Sequence, residues 1–210
     1  MNTDQLFLFI ETMCQQYNID ESHGLKHAKG TMNRALAILT SFSDILDQER
    51  RIVLYAAALH DMCDHKYTDV AQSSKQIKAW LLYNQQWNEA DASIVIKIIT
   101  TMSYSQLKMN RLCGITGYPD HGVWQRAYHI VRHADLLEGF IVARCVLYNR
   151  HIHPEMTEDQ HWLRAEELFR TRVFLYISES WIFIPAALKD AIWLTKEAER
   201  CLRDRSLDWP

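Results

Sequence analysis

Turn-forming residues are scarce in this chain: six glycines and four prolines in 210 residues. That scarcity argues against the closely spaced turns of a β-sandwich or barrel and favours helices. The five cysteines (Cys14, Cys63, Cys113, Cys145 and Cys201) are odd in number and contain no CxxC pair. Neither a disulfide framework nor a zinc finger is expected from them, and reduced thiols in a reducing compartment are. No run reaches the roughly 18 uninterrupted apolar residues of a membrane span. The first residues lack a basic stretch followed by an apolar core, so no export signal is expected and the reading is cytoplasmic. A formal net charge of −3 speaks against a general nucleic-acid or membrane-surface binder.

What is present is helical periodicity. Leu6, Phe7, Ile10, Met13, Cys14 and Tyr17 recur at three-and-four spacing over 3–17. Similar patterns predict helices over about 24–42, 51–61, 69–84, 89–103 and 123–149. Asp47 or a neighbour is the expected cap of the third, and Asn88 precedes the fifth. Thr157 and Gln160 have capping-box spacing for a helix to about 177, and Ile184-Pro185 opens a final helix. Ser105–Gly122, punctuated by Gly114, Gly117, Pro119 and Gly122, is expected to be irregular and to close over a ligand. The fold class is all-α, a single domain over 1–210.

Chemistry concentrates at Leu54-Tyr-Ala-Ala-Ala-Leu-His-Asp61, where small apolar residues end in His60-Asp61. Imidazole nitrogen and carboxylate oxygen suit a borderline divalent metal, although such a dipeptide also serves as an ordinary helix end. Adjacent helical residues point about 100° apart, so one ion can hold both only at a helix end or bend. Three other places offer donors: His23 and His27, four apart on one face; Asp135, within the apolar run Ile130–Leu137; and the group His121, His129 and His133. A carboxylate among apolar neighbours is costly unless paired or metal-bound.

The order His … His-Asp … Asp on separate helices resembles the HD-domain metal-dependent phosphohydrolases. The segments that carry the likeness are His23-Gly-Leu-Lys-His27, Ala57-Ala-Leu-His-Asp61, Asp64-His-Lys66 and Ala134-Asp-Leu-Leu-Glu138. With Ile99-Thr-Thr-Met-Ser-Tyr104 they are similar to a branch that includes bacterial nucleoside-triphosphate pyrophosphohydrolases. The likeness spans an HD-like helical core of about 20–150, on which C-terminal helices over 157–206 would pack. It departs at Gly30-Thr31, where the branch often carries Arg-Val, with Arg34 one turn further on.

The resemblance implies that His27, His60, Asp61 and Asp135 hold one divalent ion (Mn, Fe, Co, Ni, Zn or Mg). Beside such an ion, Lys66 would contact substrate phosphate and Asp64 would orient water or Lys66. His23 and Glu138 would support the ligands from behind, and Lys108, Arg111 and Arg132 are further candidate phosphate contacts. The expected chemistry is hydrolysis of a nucleotide or related phosphate ester or anhydride by a water whose pKa the metal lowers to roughly 7–9. Two other readings are a dinuclear iron oxygenase, drawing extra ligands from His121, His129 and His133, and a non-catalytic nucleotide-binding module that keeps the metal site.

Overall fold

Why the ligand-bearing segment lies at the centre follows from α3 (Asp47–Leu59), in which every residue from Ile52 to Leu59 is buried. A helix apolar on all sides must be covered on all sides. In the computed structural model, which describes residues 3–209, this cover comes from α2 (Leu25–Leu39), α5 (Glu89–Thr101) and α7 (Gln125–Glu138). Ala56, Ala57 and Ala58 are each at most 1% exposed, and their small side chains permit that close approach.

The remaining elements wrap this bundle. α1 (Thr3–Tyr17) buries Leu6, Ile10 and Met13. α4 (Val70–Asn84) is capped by Asp69, whose carboxylate accepts from Gln72 N at 2.8 Å. Asn88 caps α5 in the same way through Asp91 N, again at 2.8 Å. The expected cap at Asp47 is displaced by one: Leu46 occupies the cap position, and Asp47 lies in the first turn. After α6 (Tyr104–Leu112) and α7 come α8 (Val142–Ile152), α9 (Glu158–Leu168), the short α10 (Leu175–Ser178) and α11 (Pro185–Asp204). The Thr157–Gln160 capping box is formed, and Pro185 opens α11. One continuous core joins all of this, and no strand occurs among the described residues. All five cysteines are free; Cys63 and Cys201 are buried and Cys113 is exposed.

Three segments differ from the sequence expectation. Residues 104–112 are helical, so only 113–121 is irregular, and the positive φ angles of Gly114 (79°) and Gly117 (91°) mark that turn. The long helix expected over 123–149 is broken at 139–141, where Phe140 N and Ile141 N bond back three residues to Leu137 O and Glu138 O. No proline signals this break; a Cβ at Gly139 would lie 3.0 Å from Leu136 O, a tight approach, and 3.4 Å from the Tyr176 ring. The helix expected to 177 widens into a π turn over Phe169–Val173, with Phe174 N bonded to Phe169 O at 2.9 Å.

Candidate functional site

α3 ends at Leu59, and the chain tightens into a 3-10 turn, His60–Cys63. This change of pitch lets two adjacent side chains converge. His60 Nε2 lies 3.2 Å from Asp61 Oδ1, 3.1 Å from His27 Nε2 and 3.3 Å from Asp135 Oδ1. His27 Nε2 is 3.1 Å from Asp61 Oδ2 and 3.6 Å from Asp135 Oδ1. Donors set roughly 90–110° apart, about 2.1 Å from one ion, are themselves about 3.0–3.4 Å apart. His27, His60 and Asp61 thus form a cluster that can hold a metal ion.

The donor chemistry fits the same conclusion. His60 Nδ1 is 2.9 Å from Ala57 O, so that nitrogen carries the proton and Nε2 presents its lone pair to the cluster. Asp61 Oδ2 is buried and makes no hydrogen bond despite its nearness to His27. Burial and Arg144 pull the His27 pKa down, but Asp135, Asp61 and Glu138 outweigh them and raise it to about 9. His60 is also raised: burial opposes the charge, and Asp61 and Asp135 favour it more strongly. Burial pushes Asp61 and Asp135 up, yet the histidines hold both carboxyls below the usual range. Positive charge is favoured here, and a divalent cation competes with protons for the same atoms.

Glu138 backs His27 from one turn beyond Asp135. Its Oε2 is 3.8 Å from His27 Nδ1, and Oε1 accepts from Arg34 Nε at 3.2 Å. Gly30 accounts for this approach: a Cβ there would stand 2.3 Å from Glu138 Oε2. Gly30→Ala should therefore displace Glu138 and loosen His27, weakening metal affinity by about 10–100-fold. Metal titration against a competing chelator checks this, and wild-type affinity would show that Glu138 plays no part.

Asp61 and Asp135 open onto a cleft of about 410 Å³, lined also by Asp64, Lys66, Tyr104, Arg144 and Arg172. Asp64 shapes the loop that carries Lys66: its Oδ1 accepts from Lys66 N at 2.9 Å, and Oδ2 is 3.4 Å from Lys66 Nζ. His23 lines the cleft with its Nδ1 anchored, 2.7 Å from Ser22 Oγ and 3.0 Å from Tyr67 Oη. Asp20 accepts from both of those hydroxyls.

The three outlying cations lie elsewhere. α6 turns Ser105, Gln106 and Met109 toward the cleft. Arg111 is not part of the cleft lining and lies over the Trp181 ring at 3.4 Å. Lys108 folds back over Tyr104, 5.9 Å from its ring, and is not part of the cleft lining. Arg132 is 1% exposed, stacked 4.4 Å from Tyr118 and donating to His133 Nε2 at 2.8 Å. Two basic residues that sequence inspection missed do line the cleft. Arg144 Nε donates to Ser22 O at 2.7 Å; Arg172, from the π turn, donates to Tyr176 Oη at 2.9 Å and lies 4.3 Å over Tyr104.

His121, His129 and His133 also stand apart from the cleft, in an aromatic cluster with Tyr118, Tyr128 and Phe183. Burial, then Arg132 and His121, push His129 down to about 4. An unfolded histidine takes up its proton near pH 6.5, whereas folded His129 resists it until about 4. Its contribution to stability is full above about 6.5 and is lost as the pH falls toward 4. Melting temperature should fall over that window, and less steeply in His129→Gln; parallel curves for the two proteins would contradict this.

Compared with known proteins, the chain matches no protein-family model, no curated protein and no solved structure.

Proposed function

We propose that this chain is a metal-dependent phosphohydrolase of the HD-domain type, acting on a nucleotide or related small phosphate ester or anhydride. One observation carries the reading: the His27–His60–Asp61 cluster, with Asp135 Oδ1 3.3 Å from His60 Nε2, adjoins a cleft lined by Lys66, Arg144 and Arg172. His27, His60, Asp61 and Asp135 would hold a divalent cation, which supplies an acidified water and neutralises phosphate charge.

The protein's own groups do the rest. Lys66, Arg144 and Arg172 bind the phosphate oxygens and position the phosphorus above the two aspartates. Asp64 keeps Lys66 at the cleft through their 3.4 Å contact. Tyr104 and Tyr176, both at most 5% exposed, restrict bulk water around Arg172 and strengthen its field. Water adds across the P–O bond: its oxygen joins phosphorus, and the departing oxygen keeps the bonding pair and gains a proton.

The dinuclear oxygenase reading draws no support from placement, because His121, His129 and His133 do not line this cleft. A hydrolysis screen of nucleotides and simple phosphate esters with Mn, Mg, Co, Ni and Zn tests the proposal. Metal-dependent release of phosphate or pyrophosphate is expected. Absence of turnover with every metal, despite nucleotide binding, would favour a non-catalytic module instead.

A further inference from the structure

A second chamber, of about 480 Å³, adjoins the metal-side cleft. It is built from α8, the π turn and the end of α9, mostly after Glu138, the last residue of the HD-like motifs. His23, Lys66, Gly139, Arg144, Arg172 and Tyr176 line both spaces, so the two adjoin along these side chains. Lysine and both arginines therefore stand at the junction.

Away from the junction the lining changes. Ile141 and Val173 are buried and apolar, and Tyr148 lies edge-on to His23 with ring centroids 5.1 Å apart. Buried Asn149 also faces the chamber; its Nδ2 donates to His161 O at 3.2 Å and to Cys145 Sγ at 3.9 Å, so its carbonyl oxygen is what it offers a ligand. Arg164 and Glu167, both exposed, place a donor and an acceptor at the rim. The volume falls within the roughly 300–1,000 Å³ of small-molecule sites, far more than one phosphate needs.

We infer that this chamber binds the organic body of the substrate, a ring-bearing polar group of nucleoside size, while the phosphate lies at the junction between Lys66, Arg144 and Arg172. The inference rests on the phosphohydrolase reading for the role of the junction. Apolar walls flank a planar ring on its faces, and the asparagine carbonyl and rim charges meet its polar edges. An unbranched alkyl body would leave the buried Asn149 carbonyl unmatched.

Equilibrium binding to the metal-free and Mn-loaded protein tests this without turnover. Inorganic phosphate, ribose 5-phosphate, octyl phosphate and the four common nucleoside 5′-monophosphates are compared by calorimetry. At least one nucleotide should bind about 10-fold or more tighter than inorganic phosphate, a gain of ~1.4 kcal/mol. Thr171→Trp at the rim and Cys145→Trp within the chamber should each abolish that gain; Thr171 is exposed, so its variant tolerates the larger side chain. Equal binding of phosphate and every nucleotide, survival of the gain in both variants, or tighter binding of octyl phosphate would each overturn the inference. Nucleotide binding without hydrolysis would retain the chamber and sink the phosphohydrolase reading. Hydrolysis indifferent to the body would do the reverse.

Discussion

Asp135→Ala should lose its metal and, with it, all measurable hydrolysis. Zinc-type sites with four ligands bind with about 10–16 kcal/mol, so one ligand is worth about 3 kcal/mol, or roughly 10²-fold or more in affinity. Asp135 Oδ1 lies within 3.6 Å of both imidazole nitrogens, the placement of a ligand shared with them. Asp135→Asn separates charge from shape: it keeps an acceptor of the same size and should still lose most of the affinity. Elemental analysis after dialysis checks both variants. A full metal complement in Asp135→Ala would remove this residue from the ligand set.

Arg172→Ala should lower kcat/KM by about 10²–10³-fold while leaving metal content intact, in keeping with the loss of one charge-stabilising donor at a transition state. Arg172 also packs on Tyr104 and bonds Tyr176, so truncation costs stability as well. A cation–π contact of about 1–2 kcal/mol corresponds to a melting shift of a few degrees, which leaves the variant folded at 25 °C. Arg172→Lys sharpens the test, because an ammonium restores charge without the two-pronged geometry of guanidinium. Partial rescue in kcat is expected. An effect confined to melting temperature, with wild-type kcat and KM, would make Arg172 a packing residue.

The helical class and most element boundaries were legible because each depends on local pattern. α1 and α5 show apolar spacing at helical period, and Asn88, the Thr157–Gln160 pair and Pro185 are local stop and start signals. The errors fall where tertiary packing overrides local signals. Residues 105–112 read as loop because nearby glycines obscured a short amphipathic turn that packs Leu107. The break at 139–141 carries no proline signal and lies where Gly139 packs beside Tyr176, 37 residues away in sequence.

For the candidate site, His60 and Asp61 stood out because a polar pair ending an alanine-rich run is conspicuous, whereas His27 and Asp135 were joined to them by the resemblance to the HD-type pattern. Arg144 and Arg172 did not, since arginines at ordinary helical positions look solvated. Only the Gly139 break and the π turn, neither visible as a motif, bring them to the cleft. Gly30 shows the reverse: a departure from the family pattern is the position where Glu138 approaches α2.

The central claim is that one divalent cation is held jointly by α2, the end of α3 and α7. Anomalous diffraction from crystals grown with manganese tests it most directly. A single peak is predicted, about 2.1 Å from His27 Nε2, His60 Nε2 and a carboxylate oxygen of each of Asp61 and Asp135. No peak among these four residues, or two peaks about 3.5–4 Å apart, would contradict it.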